Sequence, residues 1–154
     1  MPAVSAFRRL QILPISLPAA WTFFSDPRNL AEITPEGMGF DILSAPPGRI
    51  YPGLILAYKV GLLPGIKATW VTEITHVRDL EYFVDEQRMG PYRFWHHEHH
   101  FRAVTGGVEV EDLVHYALPL GPLGRALAGR WVARRLTGIF DYRQAVLARK
   151  FGTA

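Results

Sequence analysis

Between Gly90 and Phe101 the chain reads GPYRFWHHEHHF, and four of its six histidines lie there. In a strand, successive side chains point to opposite faces. Trp95, His97, His99, Phe101 and Ala103 then share one face, and Phe94, His96, Glu98, His100 and Arg102 share the other. The odd face is bounded by aromatics and holds no carboxylate or permanent cation. The even face has the character of a solvated surface. Two imidazoles are therefore expected to point into an interior, and any fold built on this strand must accommodate them.

The next segment tests this parity. A two-residue loop at Gly106-Gly107 pairs Thr105 with Val108, Ala103 with Val110, Phe101 with Asp112 and His99 with Val114. The apolar parity after the turn is Val108, Val110, Val114 and Tyr116, with Asp112 among them. It falls on the face already assigned to His97 and His99. Asp112 then lies diagonal to His99, at roughly 7–8 Å between main-chain positions. An isolated buried carboxylate is costly, and an imidazole is a natural partner for it.

The remaining chain supplies a sheet around this hairpin and one long helix. Phe7 to Leu13 reads as a strand. Ser16 with Pro18 starts a helix, and Asp26-Pro27 starts a second short one running through Asn29, Leu30 and Ile33. Strands are expected at Phe40 to Ser44, at Leu54 to Gly61, from Ile66 through Thr75, and at Leu80 to Gln87. Turns at Ala45-Pro46-Pro47-Gly48 and Leu63-Pro64-Gly65 separate them. After Pro119-Leu120-Gly121-Pro122 the apolar period changes to three and four. Leu127, Trp131, Val132, Leu136, Ile139, Phe140, Val146, Leu147 and Phe151 form one stripe of a long amphipathic helix. Arg143 falls on that stripe, where it would snorkel, form a salt bridge or act as counter-ion to an acidic ligand. The order is β-α-α-β-β-β-β-β-β-α, an α+β domain with about seven strands.

Composition narrows the functional classes. The chain has 154 residues, 49% hydrophobic and 20% charged, which suits one domain with a real core. It contains no cysteine, so disulfides and thiolate metal sites are excluded. The opening MPAVSAFRRLQILP lacks the apolar run of a secretory signal, and Ile50 to Ile66 is too interrupted to span a bilayer. A soluble cytoplasmic protein is expected. Net charge is +3, with seven Arg or Lys against the single acid Asp141 between Arg125 and Lys150. We read this as the solvated face of a helix rather than a nucleic-acid footprint, with membrane contact at most peripheral.

Several phrases resemble the helix-grip superfamily, which holds START lipid-transfer domains, polyketide cyclases, the birch-pollen-allergen family and coenzyme-Q-binding proteins. They are Pro14 with Trp21-Thr22-Phe23-Phe24-Ser25-Asp26-Pro27 and Asn29-Leu30, then Ile33-Thr34-Pro35. Further on come Phe83, Asp85, Gln87, Gly90-Pro91-Tyr92, Trp95, His97, His99 and Phe101, followed by Asp112, Tyr116, Pro119, Gly121, Ile139-Phe140 and Arg143. The chain is similar in particular to the uncharacterised bacterial ligand-binding SRPBCC branch. The resemblance implies a curved antiparallel sheet wrapped around the long carboxy-terminal helix, with an internal cavity between them. It also implies that Phe83, Asp85 and Gln87 share the inward face. The residues alone leave this open, since Tyr82 and Val84 are the more apolar parity. A five-residue loop from Arg88 to Tyr92 pairs Gln87 with Arg93 and Asp85 with Trp95; a two-residue Met89-Gly90 loop breaks the match. The resemblance selects the longer loop.

The expected ligand-binding residues are Trp70, Phe83, Asp85, Gln87, Trp95, His97, His99, Phe101, Asp112 and Tyr116. Three roles compete for the polar ones: a self-satisfied structural network, recognition of a small molecule, and acid–base catalysis by His97 or His99 oriented by Asp85 or Asp112. A metal centre would use His97 and His99 with Asp112, but His115 has the wrong parity and His76 has no placement, so neither metal nor cofactor is expected. No nucleophile elbow or phosphate loop is present. The functional expectation is binding of a small hydrophobic or amphipathic molecule without transforming it. The alternatives are a cofactor-independent cyclase, dehydratase or hydrolase using His97, His99 and Asp85, and a lipid carrier or regulatory partner module.

Overall fold

A computed structural model describes residues 4–44, 46–63 and 65–154. Ala45 and Pro64, within two of the expected turns, and the first three residues of the opening segment lie outside the described residues. The elements are β1 (Ser5–Leu13), α1 (Leu17–Phe24), 3-10 turns at Pro27–Leu30 and Glu36–Met38, β2 (Asp41–Ile42), β3 (Leu54–Leu63), β4 (Ile66–Arg78), β5 (Tyr82–Met89), β6 (Phe94–Val104), β7 (Gly107–Ala117) and α2 (Gly121–Phe151). The strands form one antiparallel sheet in the order β1-β7-β6-β5-β4-β3-β2. Register shifts in β3–β4 and β4–β5 mark bulges, which bend and twist a sheet.

The start signals act as the sequence implies. Ser16 Oγ accepts from the Ala19 N–H at 3.3 Å, with Pro18 in the first turn of α1. Asp26 accepts from the Arg28 N–H at 3.0 Å, but the element it caps is a single 3-10 turn ending at Leu30, short of Ile33. The expected strand from Phe40 to Ser44 contracts to Asp41 and Ile42.

Both central hairpins keep the expected faces, but each register shifts by two residues. In β6–β7, Val104 pairs with Gly107, so the loop is Thr105-Gly106 rather than Gly106-Gly107. Gly106 supplies the positive φ of +86° that this turn needs. Gly107 is instead the first residue of β7, where a Cβ would lie 2.0 Å from the Leu13 carbonyl oxygen of β1. As a result Asp112 stands directly opposite His99, not diagonal to it.

In β5–β6, Asp85 pairs with His97 and Phe83 with His99, rather than Asp85 with Trp95. The cause is Gln87. Its amide Nε2 donates to the Tyr92 carbonyl at 2.7 Å and its Oε1 accepts from the Tyr92 N–H at 3.2 Å. This side chain takes the place of a strand partner and lengthens the loop. A shift of two preserves the face of every residue, so the inward set survives.

The helix α2 lies against the sheet with Val132, Leu136, Phe140, Arg143, Val146 and Leu147 buried. Two apolar clusters result. One centres on Leu13, Trp21, Leu56, Ile74, Phe83, Phe101 and Val108, and the other on Trp95, Val114, Tyr116, Val132, Leu136 and Phe140. Leu127 and Trp131, placed on the buried stripe by periodicity, are 75% and 48% exposed. Sustained burial of the helix begins only at Val132, so a correct period does not ensure a covering surface.

Gly107→Ala is expected to cost about 2–3 kcal/mol through overpacking against β1, more than the roughly 1 kcal/mol expected for Gly106→Ala at its positive φ. Urea unfolding of both variants checks the order.

Candidate functional site

Strand alternation and the two registers bring His97, His99, Asp85 and Asp112 together where the two apolar clusters meet. His97 lies 6.1 Å from Trp95 and 5.8 Å from Phe140 between ring centroids, while His99 stacks on Phe83 at 4.1 Å. The two imidazole centroids are 3.7 Å apart.

The four side chains close a ring. His97 Nε2 is 2.8 Å from Asp112 Oδ1, and His97 Nδ1 is 3.5 Å from Asp85 Oδ2. His99 Nε2 is 2.7 Å from Asp85 Oδ2, and His99 Nδ1 is 3.1 Å from Asp112 Oδ1. Both nitrogens of His99 reach a carboxylate within hydrogen-bond range, so His99 is the natural imidazolium, donating to each. His97 has one such contact and is satisfied as a neutral ring donating to Asp112. Arg143 adds a second cation, its Nη1 3.6 Å from Asp112 Oδ1. The two carboxylates are thus balanced by His99 and Arg143, with His97 uncharged.

Acidities follow that assignment. Burial and the neighbouring His99 push His97 below its ordinary value, outweighing its carboxylate partners. Burial pulls His99 down too, but hydrogen bonds to Asp112 and Asp85 together raise it. Burial would raise Asp112, yet hydrogen bonds from His97 and His99 and the charge of Arg143 hold it well below the carboxylate range. Asp85 is lowered in the same way, its burial overcome by the imidazoles and Arg143.

Beside the ring lies a cavity of about 210 Å³ between α2 and the sheet. Its walls are mostly apolar, including Leu56, Val60, Trp70, Ile74, Trp95 and Phe140. Asp85, His97, His99 and Arg143 line it together with Tyr58, whose hydroxyl pKa is pushed up by burial first and by the nearby charge of Asp85 second. Of the residues expected at the site, Trp70, Phe83, Asp85, Trp95, His97 and His99 border the cavity. Asp112 is 6% exposed and joins the imidazoles and Arg143 without lining the cavity. Gln87 is committed to the Tyr92 turn. Phe101 packs on Trp21 and Phe24, and Tyr116 sits among Tyr92 and Trp95. Tyr58 and Phe140 were not foreseen at the site. The alternation Leu54, Leu56, Tyr58, Val60 carried the signal for Tyr58.

Asp85, His97 and His99 each offer one ligand atom within 4.8 Å of the others. A cation there would have to displace the protons that hold the ring together and would lie near the Arg143 guanidinium. The donor set therefore fits a hydrogen-bonded ring better than a metal centre. On the outer face His96 meets Glu86 at 2.8 Å and His100 meets Glu98 at 2.8 Å, the solvated pairing that strand parity implies.

A seven-stranded antiparallel sheet gripping a carboxy-terminal helix over a cavity defines a helix-grip protein. Residues 13–140 match the family described as polyketide cyclase / dehydrase and lipid transport, and the chain belongs to it. No curated protein matches the chain by sequence. Among solved structures, protein CV1439 from Chromobacterium violaceum is similar at a TM-score of 0.73 and 13% identity, covering 97% of this chain and 99% of its own. TTHA0849 from Thermus thermophilus gives 0.72 and 14%, covering 96% and 97%. Norcoclaurine synthase from Thalictrum flavum, in complex with dopamine and hydroxybenzaldehyde, gives 0.67 and 13%, covering 96% and 88%. At these identities the likeness is one of fold.

The ring sets a pH dependence. His99 is raised on folding, so its stabilisation is complete below about pH 6.5 and is lost as the pH rises through its folded value. His97 is lowered, so stability falls as the pH drops below about 6.5, and the two carboxylates add a further loss below about pH 4. The melting temperature should therefore peak between these limbs, and His99→Gln should flatten the alkaline one. An unchanged wild-type melting temperature from pH 6 to 9 would contradict a His99 imidazolium.

Proposed function

We propose that the protein binds a small amphipathic molecule in this cavity and does not transform it. The observation that carries the reading is the make-up of the wall: mostly apolar side chains with one compact polar cluster of Asp85, His97, His99 and Arg143. That is the usual form of a small-molecule site, in which a few polar groups set orientation and apolar surface supplies affinity. The volume of about 210 Å³ lies below the range of about 300–1,000 Å³ common for drug-sized ligands, so the ligand is compact. Against catalysis stands the saturation of the ring. Asp85 and both imidazoles are engaged with one another, and a general base must exchange such partners for substrate.

Family membership, with its mixture of cyclase and lipid-transport members, keeps an acid–base role for His97 as the competing reading. Native mass spectrometry of the protein from its own host separates the two. The expected result is one co-purified organic molecule released unchanged on denaturation. A protein that carries nothing from its host, and whose Trp70 and Trp95 fluorescence responds to no small aryl or alkyl probe, would overturn the binding reading.

A carrier role has its own observation. Leu120 at the start of α2 and Leu123, Leu127 and Trp131 along its first half are exposed, and Arg125, Arg130 and Arg134 are exposed beside them. No acidic residue occurs between Asp112 and Asp141. This apolar and cationic surface suits an anionic bilayer. Sedimentation with phosphatidylserine-containing vesicles should show binding that weakens with salt, and Trp131→Glu should abolish it. Absence of binding at low salt would remove the carrier reading.

A further inference from the structure

Arg143 does not spend its hydrogen-bonding capacity on the protein. It sits on the inward stripe of α2, 9% exposed, and borders the cavity. A guanidinium carries five N–H donors in a planar fork. Among the described residues none of them makes a hydrogen bond: Nε is buried without a partner, and the nearest acidic oxygen, Asp112 Oδ1, stands at 3.6 Å from Nη1. The Phe140 ring lies 4.7 Å from Cζ and satisfies none of the N–H groups, which lie in the guanidinium plane.

This is unusual economy for a buried permanent cation. Removing such a group from water is costly unless donors are matched. Other charged groups bordering the cavity have hydrogen-bond partners, as does Thr72. His97 and His99 donate to Asp112 and Asp85, and Thr72 donates to the Glu86 carbonyl at 3.0 Å. Asp85 and Asp26, the acids that border the cavity, are committed to His99 and to Arg28. Arg135, the other cation in the wall, donates to the Gly61 carbonyl and rests on Trp131. Among the described residues, the charged group that faces the cavity with its hydrogen-bond donors unused is positive.

We infer that the ligand of this cavity is an organic acid whose carboxylate is held by the Arg143 guanidinium, with its apolar body against Trp70, Trp95 and Phe140. The inference rests on the cavity being the ligand site and adds the chemical class of the ligand. A planar fork matches a carboxylate bidentately, and the match strengthens where water is excluded. The aromatic wall favours an aryl-substituted acid over a long alkyl chain, and the small volume favours one ring over several. The Tyr58 hydroxyl, kept protonated by burial, is a neutral donor bordering the same cavity.

The test compares 3-phenylpropanoate with 3-phenylpropanol and 3-phenylpropanamide on the full chain, followed by calorimetry and by Trp70 and Trp95 fluorescence. The acid should bind the wild type about 10- to 100-fold more tightly than the alcohol or the amide, as expected for a charge-assisted pair. Arg143→Met should remove the preference for the acid, lowering its affinity by a larger factor than that of the alcohol. Arg143→Lys, which keeps the charge without the fork, should retain an intermediate preference. The wild-type comparison stands even if a variant fails to fold. Equal affinity for acid, alcohol and amide would overturn the acid assignment and leave the cavity reading intact. Binding of none of the three would count against both, and a preference for acid that survives Arg143→Met would place the anion site elsewhere.

Discussion

The buried ring of His97, Asp112, His99 and Asp85 ties three adjacent strands together, and Arg143 joins it from the helix. Each imidazole in β6 lies between a carboxylate from β5 and one from β7. A slip of either hairpin would leave a buried charge without its partner, at a cost of about 3–5 kcal/mol. Hydrophobic alternation alone tolerates a slip of two residues, because it preserves faces. The ring does not, so it selects one register among those that alternation permits.

The same arrangement gathers Asp85, His97, His99 and Arg143 into one polar patch of the cavity wall. The carboxylates are balanced by His99 and Arg143, so the group as a whole carries little net charge. The helix contributes its guanidinium at the inner edge of this group, and aromatic side chains from β4, β6 and α2 form much of the remaining wall. A structural network and a recognition site are thus one object here. The inner pairs hold the sheet, and the side turned to the cavity remains available to a ligand.

Glycine and glutamine at the hairpin ends deserve comparison, because both shift a register for local reasons. Gly107 is required by the approach of the β1 main chain, which leaves Thr105-Gly106 as the turn. Gln87 occupies the main-chain groups of Tyr92 and so extends the β5–β6 loop. Each places an acid directly across from a histidine: Asp112 from His99, and Asp85 from His97. The site geometry is a consequence of how these two turns are closed.

Alternation in residues 94 to 117 determined which side chains face inward, and the three-and-four period after Gly121 determined that a helix covers them. Those facts rest on local periodicity, which a chain carries wherever it is placed. Pairing partners, the ring and the fate of individual helix residues were decided only in three dimensions. Turn closure at Gly107 depends on β1, a strand almost a hundred residues away. Leu127 and Trp131 obey the apolar period yet remain exposed, because sustained burial of the helix begins only at Val132. Arg143 breaks the apolar pattern by a single residue, and its meaning depends on what stands opposite it. Sequence periodicity reports a face, whereas partners come from the convergence of distant strands.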